Sequence, residues 1–117
     1  MKSKDYLEEM VHHYLVCALW SSTDTNDGTP LDKYYSIEDI SLKGWSEARQ
    51  DCADFYLSNC AAILADKLTP KQCGYDFWLD RNGHGTGFRD RNIPHGQELS
   101  SAARVYGAVC IDQFLED

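Results

Sequence analysis

No stretch of this sequence approaches the ~20 consecutive apolar residues that cross a bilayer. The longest candidate, Tyr14 to Trp20, is far too short. Lys2 and Lys4 are followed at once by Asp5, Glu8 and Glu9, where a secretion signal would turn apolar. The expectation is a soluble protein of the cytoplasm. Paired cysteines are missing too. Cys17, Cys52, Cys60, Cys73 and Cys110 are odd in number and widely spaced, and no CxxC occurs. That argues against a disulfide framework and against close-spaced zinc ligands, so buried free thiols are expected. Neither a GxGxxG nor a Walker-type phosphate loop is present, which removes the commonest nucleotide-binding signatures. Basic residues are scarce, 11 against 19 acidic ones.

What is there suits a single domain over residues 1–117. Apolar residues make up 43% of the chain and charged residues 26%, enough to form a core without staples. The net charge of −8 is unevenly placed: residues 1–66 carry twelve acids and five bases, residues 67–117 seven acids and six bases. An N-terminal half at −7 repels phosphates, so direct nucleic-acid binding by it is disfavoured. It suits a basic partner, including a protein whose own ligand is nucleic acid.

Along the chain, residues 4–21 read as a helix, with Leu7, Met10, Val11, Tyr14, Leu15 and Ala18 at three- and four-residue steps. Residues 23–35 read as a loop around Asn26-Asp27-Gly28 and Pro30. Ser36 opens a short helical turn, and a longer helix is expected over about 45–67, with Ala48, Cys52, Phe55, Asn59 and Ala62 as its stripe. Thr69-Pro70 starts another turn, which Gly74 is expected to stop.

The period then changes to two. Tyr75, Phe77 and Leu79 alternate with Asp76, Trp78 and Asp80, the turn Asn82-Gly83-His84-Gly85 follows, and Thr86 to Asp90 return. This predicts a β-hairpin. A helix over about 96–106 and a last strand from Ala108 to Phe114 complete the expectation: an α+β fold, helices packed on a short antiparallel sheet in the order α-α-β-β-α-β.

Residues 79–91 carry the most information, and three readings compete. As a calcium loop, Asp80, Asn82, His84 and Gly85 fall at the spacing of an EF-hand, but Arg91 stands where a bidentate Glu belongs. As an anion or small-ligand site, Gly-rich backbone N–H groups would be helped by Arg81, His84, Arg89 and Arg91, with His84 able to act as acid or base. As structure, Arg and Asp side chains would pair across strands, Asp80 with Arg89 for example. The structural reading is preferred. His12 and His13, adjacent on a helix, point apart and cannot chelate one metal together. No metal and no cofactor is expected. Trp78 is an interface anchor if its strand face is uncovered and core if a helix covers it. Glu47, Asp51 and Asp54 are the helix carboxylates offered as a binding face.

Several segments resemble a family of small proteins from tailed bacteriophages. They are Ala18 to Asp24, Leu31 to Ile40, Asp51 to Phe55 and, most specifically, Asp76-Phe77-Trp78-Leu79 with Arg81-Asn82-Gly83-His84-Gly85, Gly87-Phe88 and Asp90-Arg91. The pattern DFWLxRNGHGxGFxDR summarises the last. Family members typically have Thr at the position of Asp80 and Trp at that of Arg89. The resemblance supplies no catalytic residues. It implies a phage accessory protein acting in a host bacterial cytoplasm. With the charge distribution, the expectation is an acidic, non-enzymatic inhibitor that occupies a host protein of nucleic-acid handling or defence, of the CRISPR or restriction type. The alternative is a small-ligand- or anion-binding protein, or a minor enzyme, using residues 80–91.

Overall fold

The first helix, α1 (Ser3–Ser21), buries Met10, Val11, Tyr14, Leu15, Cys17, Ala18 and Leu19. Neighbouring positions are buried together, so one face cannot account for them. The helix is covered on more than one side, by α4 (Pro70–Arg81) and by α2 (Leu42–Ser58), and forms the centre of the molecule. The computed structural model describes residues 3–23, 27–83 and 87–115, leaving out the side chains of Ser3, Asp112 and Gln113.

Between α1 and α2 the chain makes two 3-10 turns, Leu31–Lys33 and Ile37–Asp39. Ser36 caps the second: its backbone N–H donates to the Asp39 carboxylate and its Oγ accepts from the Glu38 N–H. Ser41 caps α2 by accepting from the Gly44 N–H at 3.0 Å. The single long helix expected over 45–67 is divided. Asn59 turns its side-chain amide back onto the Phe55 carbonyl at 2.9 Å, competing with the helical ladder. α2 ends there, and α3 (Cys60–Ala65) restarts.

The expected sheet does not exist among the described residues. Their one β-type pairing is an isolated bridge between Thr23 and Pro30, and the fold is all-α rather than α+β. Tyr75 to Asp80, read as a strand, lie inside α4. That helix starts at a capping box: Thr69 Oγ accepts from the Gln72 N–H and Gln72 Oε1 from the Thr69 N–H. Gly74, expected as its end, sits in its interior. A Cβ at Gly74 would lie 2.4 Å from the Met10 carbonyl oxygen and 2.9 Å from the Tyr14 nitrogen. This glycine lets the backbones of α1 and α4 touch.

The apparent period of two has a physical origin in the same helix. Cys73, Gly74 and every residue from Asp76 to Arg81 are buried, polar ones included. A helix enclosed on nearly all sides has no polar stripe, so the 3.6-residue signal vanishes. The supposed return strand is a 3-10 turn, Phe88–Arg91. The supposed last strand is an irregular stretch followed by α6 (Asp112–Leu115). Its backbone finds partners other than a ladder: the Val109 N–H donates to Asn82 Oδ1 at 2.9 Å, and the Phe114 carbonyl accepts from the Ser41 N–H at 2.7 Å. α5 (Gly96–Arg104) packs on α4 and on the 3-10 turn before it.

Aromatic rings fill the junction of these helices. Phe55 stacks on Phe77 at 4.4 Å and on Phe88 at 5.6 Å, and Tyr14 meets Trp78 edge-on at 5.2 Å. All five cysteines are free. Burial pushes the Cys17 and Cys73 thiols up to about 12 and raises Cys52 well above its ordinary range. These three are core residues with little thiolate character at neutral pH.

Candidate functional site

Two arrangements can be built from the residues that drew attention. One is the run 76–91, the other the carboxylates of α1 and α2.

In the run 76–91, Asp76, Asp80 and Arg81 are turned inward, while Arg89 and Asp90 are exposed. Asp76 and Asp80 stand one helical turn apart on α4 and both are buried. Asp76 takes the guanidinium of Arg91, through Nε and, at 3.1 Å, Nη2. Burial nonetheless holds the Asp76 carboxyl high, at about 6, against the lowering effect of Arg91. Asp80 accepts from the Phe88 backbone N–H at 2.9 Å and from the Ser100 hydroxyl at 2.8 Å, while Ser100 Oγ accepts from the Arg89 N–H at 2.9 Å. A Cβ on Gly87 would lie 2.1 Å from Asp80 Oδ2, so only glycine admits this carboxylate so close to the chain. The cross-strand pair expected between Asp80 and Arg89 is therefore absent: Asp80 faces the backbone at 88 and Ser100, and Arg89 is exposed.

Arg81 is the most enclosed arginine of the run, its side chain 4% exposed. Its Nη1 donates to Asp51 Oδ2 at 2.7 Å and to the Tyr14 hydroxyl oxygen at 3.0 Å. Its Nε and Nη2 donate to the carbonyls of Gly107 and Tyr106 at 2.8 and 3.1 Å. One side chain thus ties α1, α2, α4 and the end of α5 together. Asn82 works beside it, donating to the Trp78 carbonyl and accepting from the Val109 N–H. Trp78 is core, with its indole N–H donating to Ser21 Oγ at 3.0 Å. It is not an exposed anchor.

The hairpin invoked for anion or calcium binding is thus replaced by a helix end, and two of its three arginines are committed to carboxylates. His84, with Gly85 and Thr86, lies outside the described residues. Among the described residues no group of three or more His, Cys, Asp or Glu side chains is placed to hold a metal ion. His12 is exposed and His13 half-buried, their rings edge-to-face at 5.1 Å. Burial lowers the His13 pKa below its ordinary value.

The carboxylates offered as a binding face are in different situations. Asp51 is the partner of Arg81 and belongs to the framework. Glu47 is half-exposed, and Asp54 is exposed. Asp54 accepts from the Tyr106 hydroxyl, a residue that the sequence pattern marked only as helical. Burial, then the neighbouring carboxylate, raises the phenol of Tyr106. On α1, Asp5, Glu8 and Glu9 are exposed, and Glu8 pairs with Arg49 of α2. Among the described residues, Asp5, Glu9, Glu38 and Glu47 form no ion pair.

A further pair was not legible in the sequence. Asp66, its side chain 1% exposed, accepts from both the backbone N–H and Nδ1 of His95, at 2.9 and 2.7 Å. The hydrogen bond to Asp66 raises the His95 pKa, and the same bond, working against burial, lowers that of Asp66. The pair pins the start of α5 to the end of α3. A separation of 29 residues gave no signal for it.

No helix among the described residues is long and apolar enough to cross a membrane. No family model, no curated protein and no solved structure matches the chain.

Proposed function

We propose that this is a non-enzymatic phage accessory protein that binds a host bacterial protein of nucleic-acid handling or defence, presenting carboxylates to a basic surface. The observation that carries the reading is the different use of charge around α4 and on the outer faces of α1 and α2. Arg81 is drawn inside and Arg91 is half-buried, and each is paired with a carboxylate. The carboxylates of Asp5, Glu9, Glu38 and Glu47 stay at the surface without an ion-pair partner among the described residues. A field of one sign on a surface steers and selects a partner of the other. The resemblance to tailed-phage proteins supports the setting and not the chemistry, because most of the described residues in its most specific segment are internal.

The geometry also decides which substitutions test the reading. Asp51 is unsuitable, since reversing it would set two cations against each other beneath α2. Glu9→Lys with Glu47→Lys changes the surface alone. Capture from a bacterial lysate should yield a discrete partner at low salt. Recovery should fall steeply at high salt and with the doubly reversed variant. A partner retained equally by both proteins at both salt concentrations would defeat the electrostatic mechanism.

A further inference from the structure

A shallow depression of about 380 Å³ opens between the C-terminal part of α2 and the end of α5, lined by Asp54, Ser58, Asn59, Ala102, Val105 and Tyr106. We propose that it is a pocket for the guanidinium of an arginine side chain presented by a protein partner. The inference rests on the reading above, that the partner is basic, and names a point of contact.

Three features fit that occupant. The first is charge. Asp54 supplies an exposed carboxylate whose described partner is a neutral phenol, so its negative charge is not cancelled. Arg81, underneath, is already matched by Asp51, and Arg104, one residue before Val105, does not line the depression. α5 ends at the same rim, adding the negative end of its dipole. The second is hydrogen bonding. Asn59 spends its amide nitrogen on the Phe55 carbonyl, which leaves its side-chain oxygen as a second acceptor among the lining residues. A guanidinium, with five donors in a planar fork, uses two such acceptors better than an ammonium does. The third is the wall. Ala102, Val105 and the ring of Tyr106 offer apolar surface to the methylene stem of an arginine. Val105 is 85% exposed, so its side chain is free to meet a ligand.

The test is an amide NMR titration of the whole protein with the blocked tripeptide acetyl-Gly-Arg-Gly-amide. Comparators are its lysine and citrulline counterparts, agmatine, and an oligolysine. The arginine peptide should shift Ser58, Asn59, Val105 and Tyr106 saturably, the lysine peptide more weakly, and the citrulline peptide not at all. Asp54→Asn should weaken the arginine peptide at least about tenfold, the loss expected when one charge-assisted bond is removed. Val105→Lys, an exposed substitution that leaves the framework untouched, should block the site in the same way. Equal response to citrulline, or no change in either variant, would overturn the proposal. Agmatine binding more tightly than the peptide would replace the protein partner with a small cation. An oligolysine that shifts Asp5, Glu9 and Glu47 while the pocket stays silent would sink the pocket and leave the acidic surface standing. Pocket shifts without any on α1 would do the reverse.

Discussion

Two regions of the molecule handle charge in opposite ways. Around α4, Asp76, Asp80, Arg81 and Arg91 are drawn into or against the core, each with a named partner. On α1 and the first part of α2, Asp5, Glu9 and Glu47 face outward or lie half-covered and are left unpaired among the described residues. Buried charge is costly unless matched, so the first group binds the fold into one arrangement. Exposed charge contributes little to stability, so the second group is available for recognition. A charged residue in this protein cannot be assigned to function on its type alone.

The largest effect should come from breaking the framework at Arg81, which holds four acceptors. Arg81→Met leaves two carbonyls and the Tyr14 hydroxyl without their donor and Asp51 without its cation, and should cost about 3–5 kcal/mol in denaturant unfolding. Arg81→Lys should recover little of this, since one ammonium cannot reach four acceptors spread around a planar fork. Next, Gly74→Ala forces a methyl against the Met10 carbonyl and should cost about 1–3 kcal/mol by prying α1 from α4. A substitution at Gly74 that left the melting temperature unchanged would contradict the close crossing.

A smaller effect should appear in the pH dependence. The native Asp76 carboxyl, at about 6, lies above its ordinary value of 3.8. The native state therefore holds its proton more tightly than the unfolded chain does. Stability should rise as pH falls through about 6 and level off below about 4, by an amount on the order of 1–3 kcal/mol. His95, raised by Asp66, acts in the same direction: its contribution is complete below its unfolded value near 6.5 and lost as pH rises through the native one. Thermal unfolding from pH 7.5 to pH 5 should thus show a gain, flattened in Asp76→Asn. The smallest effect should be on the outward group: Glu9→Lys with Glu47→Lys should move stability by no more than about 0.5 kcal/mol.

The same division explains what could be read from sequence. α1 declared itself through apolar residues at helical steps, and Ser36 and Thr69 through their cap patterns. α4 did not, because Phe77, Trp78 and Leu79 are buried alongside Asp76, Asp80 and Arg81, and the alternation of acid and aromatic imitated a strand. Gly74 looked like a stop for want of any sign that another backbone lies against it. The partners that would have corrected this are remote in sequence: Arg81 with Asp51, Asp76 with Arg91, Asp66 with His95. Asp54 was legible as an exposed helix acid, but Tyr106 and the depression they share needed α2 and α5 placed side by side.

The most direct test is a paired measurement on one preparation of each protein: unfolding free energy and low-salt partner capture for wild type, Arg81→Met and Glu9→Lys with Glu47→Lys. The surface variant should keep wild-type stability and lose capture, while Arg81→Met loses stability first. A surface variant that captures as wild type does, or an Arg81→Met protein as stable as wild type, would contradict the division of labour between the two groups of charges.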